Sequence, residues 1–597
     1  MRYLKVTATL ACFMLTTPLY AATLYVDDDA TGDGSGSSWS NALNRLDDAM
    51  SQARSGDQTW VANGLYKPFA EFLRAPDPNA TFSLVGGVAL YGGFVGTESS
   101  LAERDAGNRK SVLSCDFYDD DPAYSHGSDL TRHDPLRQDN CFTVVTADPP
   151  VSAPFGRDTI IDGFTLSGGH ARDVIANGYD GGIDGGGLFA GEYGGITARN
   201  ILFESNFAGI GGGGSQQFGD VLIEDSYYLK NSSCDGGGAG SGHHLKRVAG
   251  GELRNVVFEK NYAACFGGGF AFYESNAQIN GCVAFDNWGV THGGGGAIVL
   301  SFNYTNLPAV PVTISNCLVY ENTSWGGGGI GVINSAQPAA PPTLANLTII
   351  NNESTFSNAS YGGGGLFLDG GGGLGDGGPV LVSNSILWGN EAANNTRGDE
   401  IFTSTDSRYP NLVTVVDHSY VFDYVGGVTV RGKPPVFGPT SSMFGDAGEL
   451  PGFVDAAAQD FHLASQSILV DQGDPSLDYS GQLDFEGDAR VMGACTAVLR
   501  ADIGADERIY PTSWCSLTQC YGDADENGSV NFLDVSAFNS VCQSANGGCS
   551  IAYPDPSYAA RVDFNHDGVV DVADWSILTQ NFSQAPSQDC AIGDPFP

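Results

Sequence analysis

The sequence runs to 597 residues, 69 of them acidic against 27 basic, for a formal net charge of −42. That balance repels phosphate backbones and anionic membranes, which excludes nucleic acid as a partner, and suits calcium, salt or plain solubility. A chain this long exceeds one ordinary globular core unless its fold grows by stacking repeats.

The chain opens with Arg2 and Lys5, an apolar run from Val6 to Leu15, and Pro18-Leu19-Tyr20-Ala21-Ala22. This is the order of a signal peptide, read as residues 1–22 with cleavage after Ala21 or Ala22. No later stretch approaches the ~20 continuous apolar residues of a membrane span. The mature chain is therefore expected to be secreted, extracellular or at the cell surface. Loss of Cys12 with the leader turns 13 cysteines into an even number, as an oxidising compartment and disulfides require. Six of them (Cys495, Cys515, Cys520, Cys542, Cys549, Cys590) lie in the last fifth, where a small module gains most from crosslinks.

Residues 141–402 carry a repeat. Runs of glycine recur at Gly185–Gly187, Gly211–Gly214, Gly236–Gly238, Gly267–Gly269, Gly293–Gly296, Gly326–Gly329 and Gly362–Gly365. Between them, an Asn, Asp or Gly is followed six residues later by Asn in Asn200/Asn206, Asp225/Asn231, Asn255/Asn261, Gly281/Asn287, Asn316/Asn322, Asn346/Asn352 and Asn384/Asn390. The closing asparagines are 25, 30, 26, 35, 30 and 38 residues apart, a fixed inner segment with loops of variable length. Each copy reads as one coil of a solenoid. Ile201, Ser226, Val256, Cys282, Cys317, Leu347 and Ser385 share one inward stack, and Phe203, Tyr228, Phe258, Ala284, Val319, Ile349 and Leu387 a second, two positions on. Cys282 and Cys317 are expected as packed thiols, since in-register parallel neighbours rarely offer disulfide geometry. The flanking Asn and Gly are assigned to corners with positive φ, and the Asn amides to ladders between coils.

The repeat resembles that of right-handed parallel β-helix proteins, and the resemblance extends to both flanks. Leu24-Tyr25-Val26-Asp27, Gly34–Trp39, Gly56–Ala62 and Tyr91–Glu98 are similar to that family's entry segment, residues 23–140. There the resemblance implies a short capping helix over Ala42–Ala53, with Leu43, Leu46 and Met50 on one side. Pro451–Asp455, Ser467–Gly473 and Asp502-Ile503-Gly504-Ala505-Asp506-Glu507 are similar to its closing segment, residues 403–508. The fold so implied is all-β, a right-handed solenoid, and it hosts lyases, hydrolases, adhesins and structural spikes alike.

Residues 509–597 carry the sharpest chemistry. Two 12-residue loops in one register, 40 residues apart, place oxygen donors at positions 1, 3, 5, 9 and 12, Gly528 and Gly568 at 6 and a carbonyl donor at 7. The ligands are Asp523, Asp525, Asn527, Ser529, Asn531 and Asp534 in the first, and Asp563, Asn565, Asp567, Val569, Asp571 and Asp574 in the second. Such sets suit two calcium ions. Position 12 is Asp rather than the EF-hand Glu, and Pro511, Gly522, Pro554 and Pro556 bar a helix from leading into either loop. The pair resembles a type I dockerin, a small α-helical calcium domain with one helix after each loop. In that family the positions before the last Asp choose a cohesin partner; here they are Phe532, Leu533, Val572 and Ala573, an apolar set where hydroxylated residues are usual.

Three functions follow: a component of an extracellular polysaccharide-binding or polysaccharide-degrading assembly plugged in through the dockerin-like module, a polysaccharide lyase or glycoside hydrolase, and an adhesin or surface-structural protein. No catalytic residue stands out. His243-His244-Leu245-Lys246-Arg247 is read as a solvated loop, and Glu204, Glu259, Asp286 and Glu321 as a surface stripe spaced by the repeat. The outward positions beside that stripe are apolar. They form either a second core covered by a loop or terminal segment, or a sugar-stacking platform of Phe285, Tyr320 and Trp388.

Overall fold

Short strands separated by sharp corners bury little within one coil, so each coil is stable only against the next. The computed structural model shows how this chain meets that constraint. It describes residues 21–68, 76–171, 184–233, 240–248, 250–264, 267–290, 295–302, 312–334, 340–355, 362–370, 377–393, 400–404, 406–422, 435–437, 443–445, 451–464, 467–490 and 500–508, with the strand pair Ile551–Ala552 and Val569–Val570. Residues 1–20 of the expected leader lie outside the described residues.

Three parallel sheets run along the chain, of 21, 10 and 7 described strands. In the large sheet a coil supplies either two strands flanking a corner, as in Ile196–Arg199 and Leu202–Glu204, or one longer strand that runs through it, as in Gly250–Glu259 and Thr313–Tyr320. The seven-stranded sheet takes a two-residue strand per coil, from Phe207–Ala208 to Glu391–Ala392. The ten-stranded sheet takes the segments after the glycine runs, among them Gly214–Gln217, His243–Lys246 and Phe270–Tyr273. This is a parallel β-helix.

The inward stacks fall as the spacing requires. Phe203, Tyr228, Phe258, Ala284, Val319, Ile349 and Leu387 pair in register from coil to coil, all buried. The rings of Phe203 and Tyr228 stack at 4.3 Å, and those of Tyr228 and Phe258 at 5.1 Å. Cys282 and Cys317 stand opposite each other, buried and unbridged, and the Cys282 N–H donates to Cys317 Sγ at 3.2 Å.

The first corner has positive φ at Asn200, Asp225, Asn255, Gly281, Asn316, Asn346 and Asn384, as expected. The second differs: positive φ falls on the residue before the closing Asn, namely Ser205, Lys230, Lys260, Asp286, Glu321, Asn351 and Gly389. The closing asparagines turn inward instead. Asn231 donates its N–H and its Nδ2 to Asn261 Oδ1, at 2.9 and 3.0 Å, and its Nδ2 again to the Phe203 carbonyl at 2.8 Å. Asn206, Asn261, Asn287, Asn322 and Asn352 repeat the pattern. A left-handed Lys or Glu costs roughly 1–2 kcal/mol, whereas each buried amide left without a partner costs about 1–3 kcal/mol, so the Asn is the fixed residue and its neighbour is free to vary. The glycine runs have a steric cause: a Cβ on Gly296 would lie 2.2 Å from the Gly328 carbonyl oxygen of the next coil.

At the entry end, Tyr25, Trp39, Trp60 and Phe94 form one aromatic cluster, with Trp60 stacked on Phe94 at 4.8 Å. The α-helix is shorter than expected, Leu46–Gln52, because Leu43 is held extended by two backbone hydrogen bonds to Tyr25 and Asp27. A disulfide, Cys115–Cys141, closes a loop whose buried Arg137 donates to the Ser205 and Gly169 carbonyls, and whose Gly127 N–H reaches the Lys260 carbonyl. The loop thus binds the row of corners from outside.

Replacing Asn261 by alanine removes the acceptor for both Asn231 donors and should lower stability by roughly 2–3 kcal/mol while the β-sheet signal of the folded chain is unchanged. Thermal unfolding checks this; a melting curve identical to that of the wild type would refute the ladder's role.

Candidate functional site

The apolar outward stripe is a second core. Leu318, Tyr320 and Ile350 are buried with Phe461 and Ala505 of the closing segment, and Val283, Phe285, Trp388, Phe453 and Phe485 pack around them. Tyr320, 8% exposed, meets Phe461 edge-on at 5.2 Å, and Trp388 meets Phe453 at 5.9 Å. The stacking platform of Phe285, Tyr320 and Trp388 is thereby corrected: the short antiparallel strands Phe453–Asp455 and Asp460–Leu463 belong to the segment that covers it. The Asp-Ile-Gly-Ala-Asp-Glu motif anchors that cover. Gly504, at φ 115°, lies so close that a Cβ would stand 2.7 Å from Ile386, and Ala505 N–H donates to Thr348 Oγ1 at 2.8 Å. Of the carboxylate stripe, Glu321 accepts from Gln459 Nε2, and Glu259 from Tyr227 and Lys260.

His243–Lys246 is also not a solvated loop. It is a strand of the ten-stranded sheet, in register with Gly214–Gln217 and Phe270–Tyr273, so both histidines are buried, at 1% and 3% exposure. Their polar composition suggested solvent, but the preceding glycine run sets the register. His243 points inward to Tyr228 Oη at 2.9 Å, and His244 outward beside Ser215.

That outward face gathers the chemistry. Gln217 and Lys246 are register partners, and two strands beyond Gln217, just past Val145–Ala147, the Asp148 carboxylate lies over Gly191, where a Cβ would be 2.0 Å from it. Gln217 Nε2 donates to Asp184 Oδ2 at 2.5 Å. Asp184 is 9% exposed; burial pushes its carboxyl up to about 6, against the opposing pull of the Lys246 charge and the Gln217 hydrogen bond. A cavity of about 320 Å³ adjoins it, lined by Asp184, Phe189, Phe142, Thr143, Thr146 and Pro78 among others. A carboxyl group poised near neutrality can take or give a proton at physiological pH. Sequence reasoning passed over Asp184. The available signal is an acid directly before a glycine run, a position held by Ile210, Phe266, Trp325 and Tyr361 in other coils but also by Asp235 and His292.

The residues expected to ligate calcium, and Phe532, Leu533, Val572 and Ala573, expected to bind a partner, lie outside the residues whose side chains are described. The backbone of Val569–Val570, at the seventh and eighth positions of the second loop, pairs antiparallel with Ile551–Ala552. Among the described residues no helix is long and apolar enough to cross a membrane. His462 is already held between Asp460 and Glu486, whose hydrogen bonds outweigh the effect of burial and raise it to about 9.

No family model matches the chain, and no curated protein matches it. Among solved structures it is similar to the pectate lyase Pel9A, at 12% identity over 82% of this chain and 97% of that one, with a TM-score of 0.39. It is also similar to a rhamnogalacturonan lyase, at 10% identity over 73% of this chain and 91% of that one, with a TM-score of 0.31.

Burial holds His243 and His244 neutral, pushing both down to about 3. Their ordinary value is about 6.5, so below it the unfolded chain binds protons that the fold excludes. Stability should be level above about 6.5 and fall as pH drops, by about 1.4 kcal/mol per unit for each histidine, before most carboxylates titrate. A His243→Phe variant should melt with a shallower dependence between about pH 6.5 and 5; an unchanged slope would contradict the buried neutral ring.

Proposed function

We propose that this protein is a secreted enzyme acting on a polysaccharide, with Asp184 as the proton-transfer group and a C-terminal calcium module that docks it into an extracellular assembly. The observation that carries this reading is a buried carboxyl raised to about 6 beside Lys246 and a cavity bearing an aromatic ring and threonine hydroxyls. β-Elimination fits that set better than hydrolysis. It needs one base to take the proton next to a sugar carboxylate and a cation to offset the developing charge; the C–H electron pair becomes a C=C bond as the C–O bond to the leaving sugar breaks, and the departing oxygen takes a proton from water. Ionised Asp184 supplies the base and Lys246 the cation. Hydrolysis needs two carboxylates in fixed roles, and Asp148, the second here, is exposed.

A panel of uronate-containing and neutral polysaccharides tests this, with unsaturated products and reducing ends both measured. The wild type should release unsaturated products at a rate that rises through about pH 6 as Asp184 loses its proton. Asp184→Asn should lower kcat by roughly 100-fold or more with KM little changed. Full activity in that variant would remove Asp184 from the reaction, and reducing ends without unsaturation would favour a hydrolase.

The loops beginning at Asp523 and Asp563 are proposed to hold one calcium ion each, with Phe532, Leu533, Val572 and Ala573 forming the apolar contact to a cohesin-like domain. Calorimetry on the full chain should find two calcium ions, falling to one in either Asp523→Ala or Asp563→Ala. Unchanged stoichiometry in both variants would defeat the assignment.

A further inference from the structure

Among the described residues the first-corner row runs as far as His418, which has positive φ like Asn316, Asn346 and Asn384 in the coils before it. Along that row the side-chain amides are linked: Asn346 Nδ2 donates to Asn316 Oδ1 at 2.9 Å, and Asn384 Nδ2 to Asn346 Oδ1 at 3.2 Å. An imidazole cannot continue the amide ladder. His418 is nevertheless only 9% exposed, and its Nδ1 has no hydrogen-bond partner among the described residues. That atom lies 3.2 Å from Asp417 Oδ1 and 3.9 Å from Asp474 Oδ2, ion-pair distances without hydrogen-bond alignment.

Asp474 reaches this point because the closing segment is fastened to the same row. Its N–H donates to Asn384 Oδ1 at 2.8 Å, and Tyr479 Oη, which donates to the Asp474 carbonyl, accepts from Asn384 Nδ2. Ser476 occupies Asp474 Oδ1 through its N–H and hydroxyl, leaving Oδ2 turned towards His418.

We infer that Asp417, His418 and Asp474 bind one divalent transition-metal ion of the zinc class, which pins the closing segment to the coil of Val413–Asp417 and Tyr420–Phe422. The three ligand atoms lie within 4.8 Å of one another and come from two parts of the chain. Zinc ligands stand ~2.0–2.2 Å from the ion, so small side-chain rotations bring all three into its shell. One imidazole nitrogen with two carboxylate oxygens selects zinc, cobalt or manganese over calcium, which takes oxygen alone. Binding also gives the orphaned Nδ1 a partner, at a buried site where leaving it bare is costly.

The test uses the full chain, stripped with chelator and then kept in excess calcium so that the C-terminal loops are filled. Zinc is titrated by calorimetry, and cobalt by its visible absorption. The wild type should bind one zinc ion and melt higher in its presence. His418→Asn, which restores the residue of the neighbouring coils and so preserves the corner, should keep the fold by circular dichroism. It should weaken zinc binding by about ten-fold or more and lose the shift in melting. Asp474→Asn should do the same. Zinc binding by His418→Asn equal to the wild type, or none by the wild type, would overturn the site and leave His418 as an ion-pair partner of the two aspartates.

Discussion

A corner in a parallel coil leaves backbone donors and acceptors that no strand can satisfy, and in this chain a buried asparagine stands at that place in seven successive coils. Its amide accepts from the coil before and donates across to a strand carbonyl, so the corners are joined by a continuous chain of hydrogen bonds inside the solenoid. Everything else depends on that register. A slip by one residue would turn Phe203, Tyr228 and Phe258 outward and drive Cβ atoms into carbonyls along the glycine runs. The ladder ends where Asn390 Nδ2 meets the buried Glu400 carboxylate.

The outward faces are where function can enter, and the chain treats them differently. On the large sheet the apolar stripe calls for a cover, and the closing segment supplies it with its own acids folded around Arg490, which donates to the Asp502 and Asp506 carbonyls. On the ten-stranded sheet the early coils carry Asp148, Asp184, Gln217, His244 and Lys246. The later ones bury Val299, Phe367 and Phe402. One end of that sheet is therefore suited to chemistry and the other to packing.

The repeat was legible because its constraints are local: positive φ selects Asn, Asp or Gly, and close coil contacts exclude a Cβ. The same logic located both inward stacks and the unbridged Cys282 and Cys317. What escaped was set by register between distant coils. His243 and His244 have the composition of a loop and the position of a strand. The place of Asp184 depends on Gln217 and Lys246, 33 and 62 residues further on. Leu43 looked helical by its spacing until its pairing with the first strand was known. The apolar stripe could be seen in the sequence, but which segment covers it rests on long-range contacts that spacing does not encode.

Residue-resolved amide hydrogen exchange on the full chain tests the ladder most directly. The N–H groups of Asn206, Asn231, Asn261, Asn287, Asn322 and Asn352, each donating to the next asparagine, should rank with the slowest amides of the central strands. Exchange at those six positions as fast as in exposed loops, while the strands beside them stay protected, would show that the coils are held in register by something other than the asparagines.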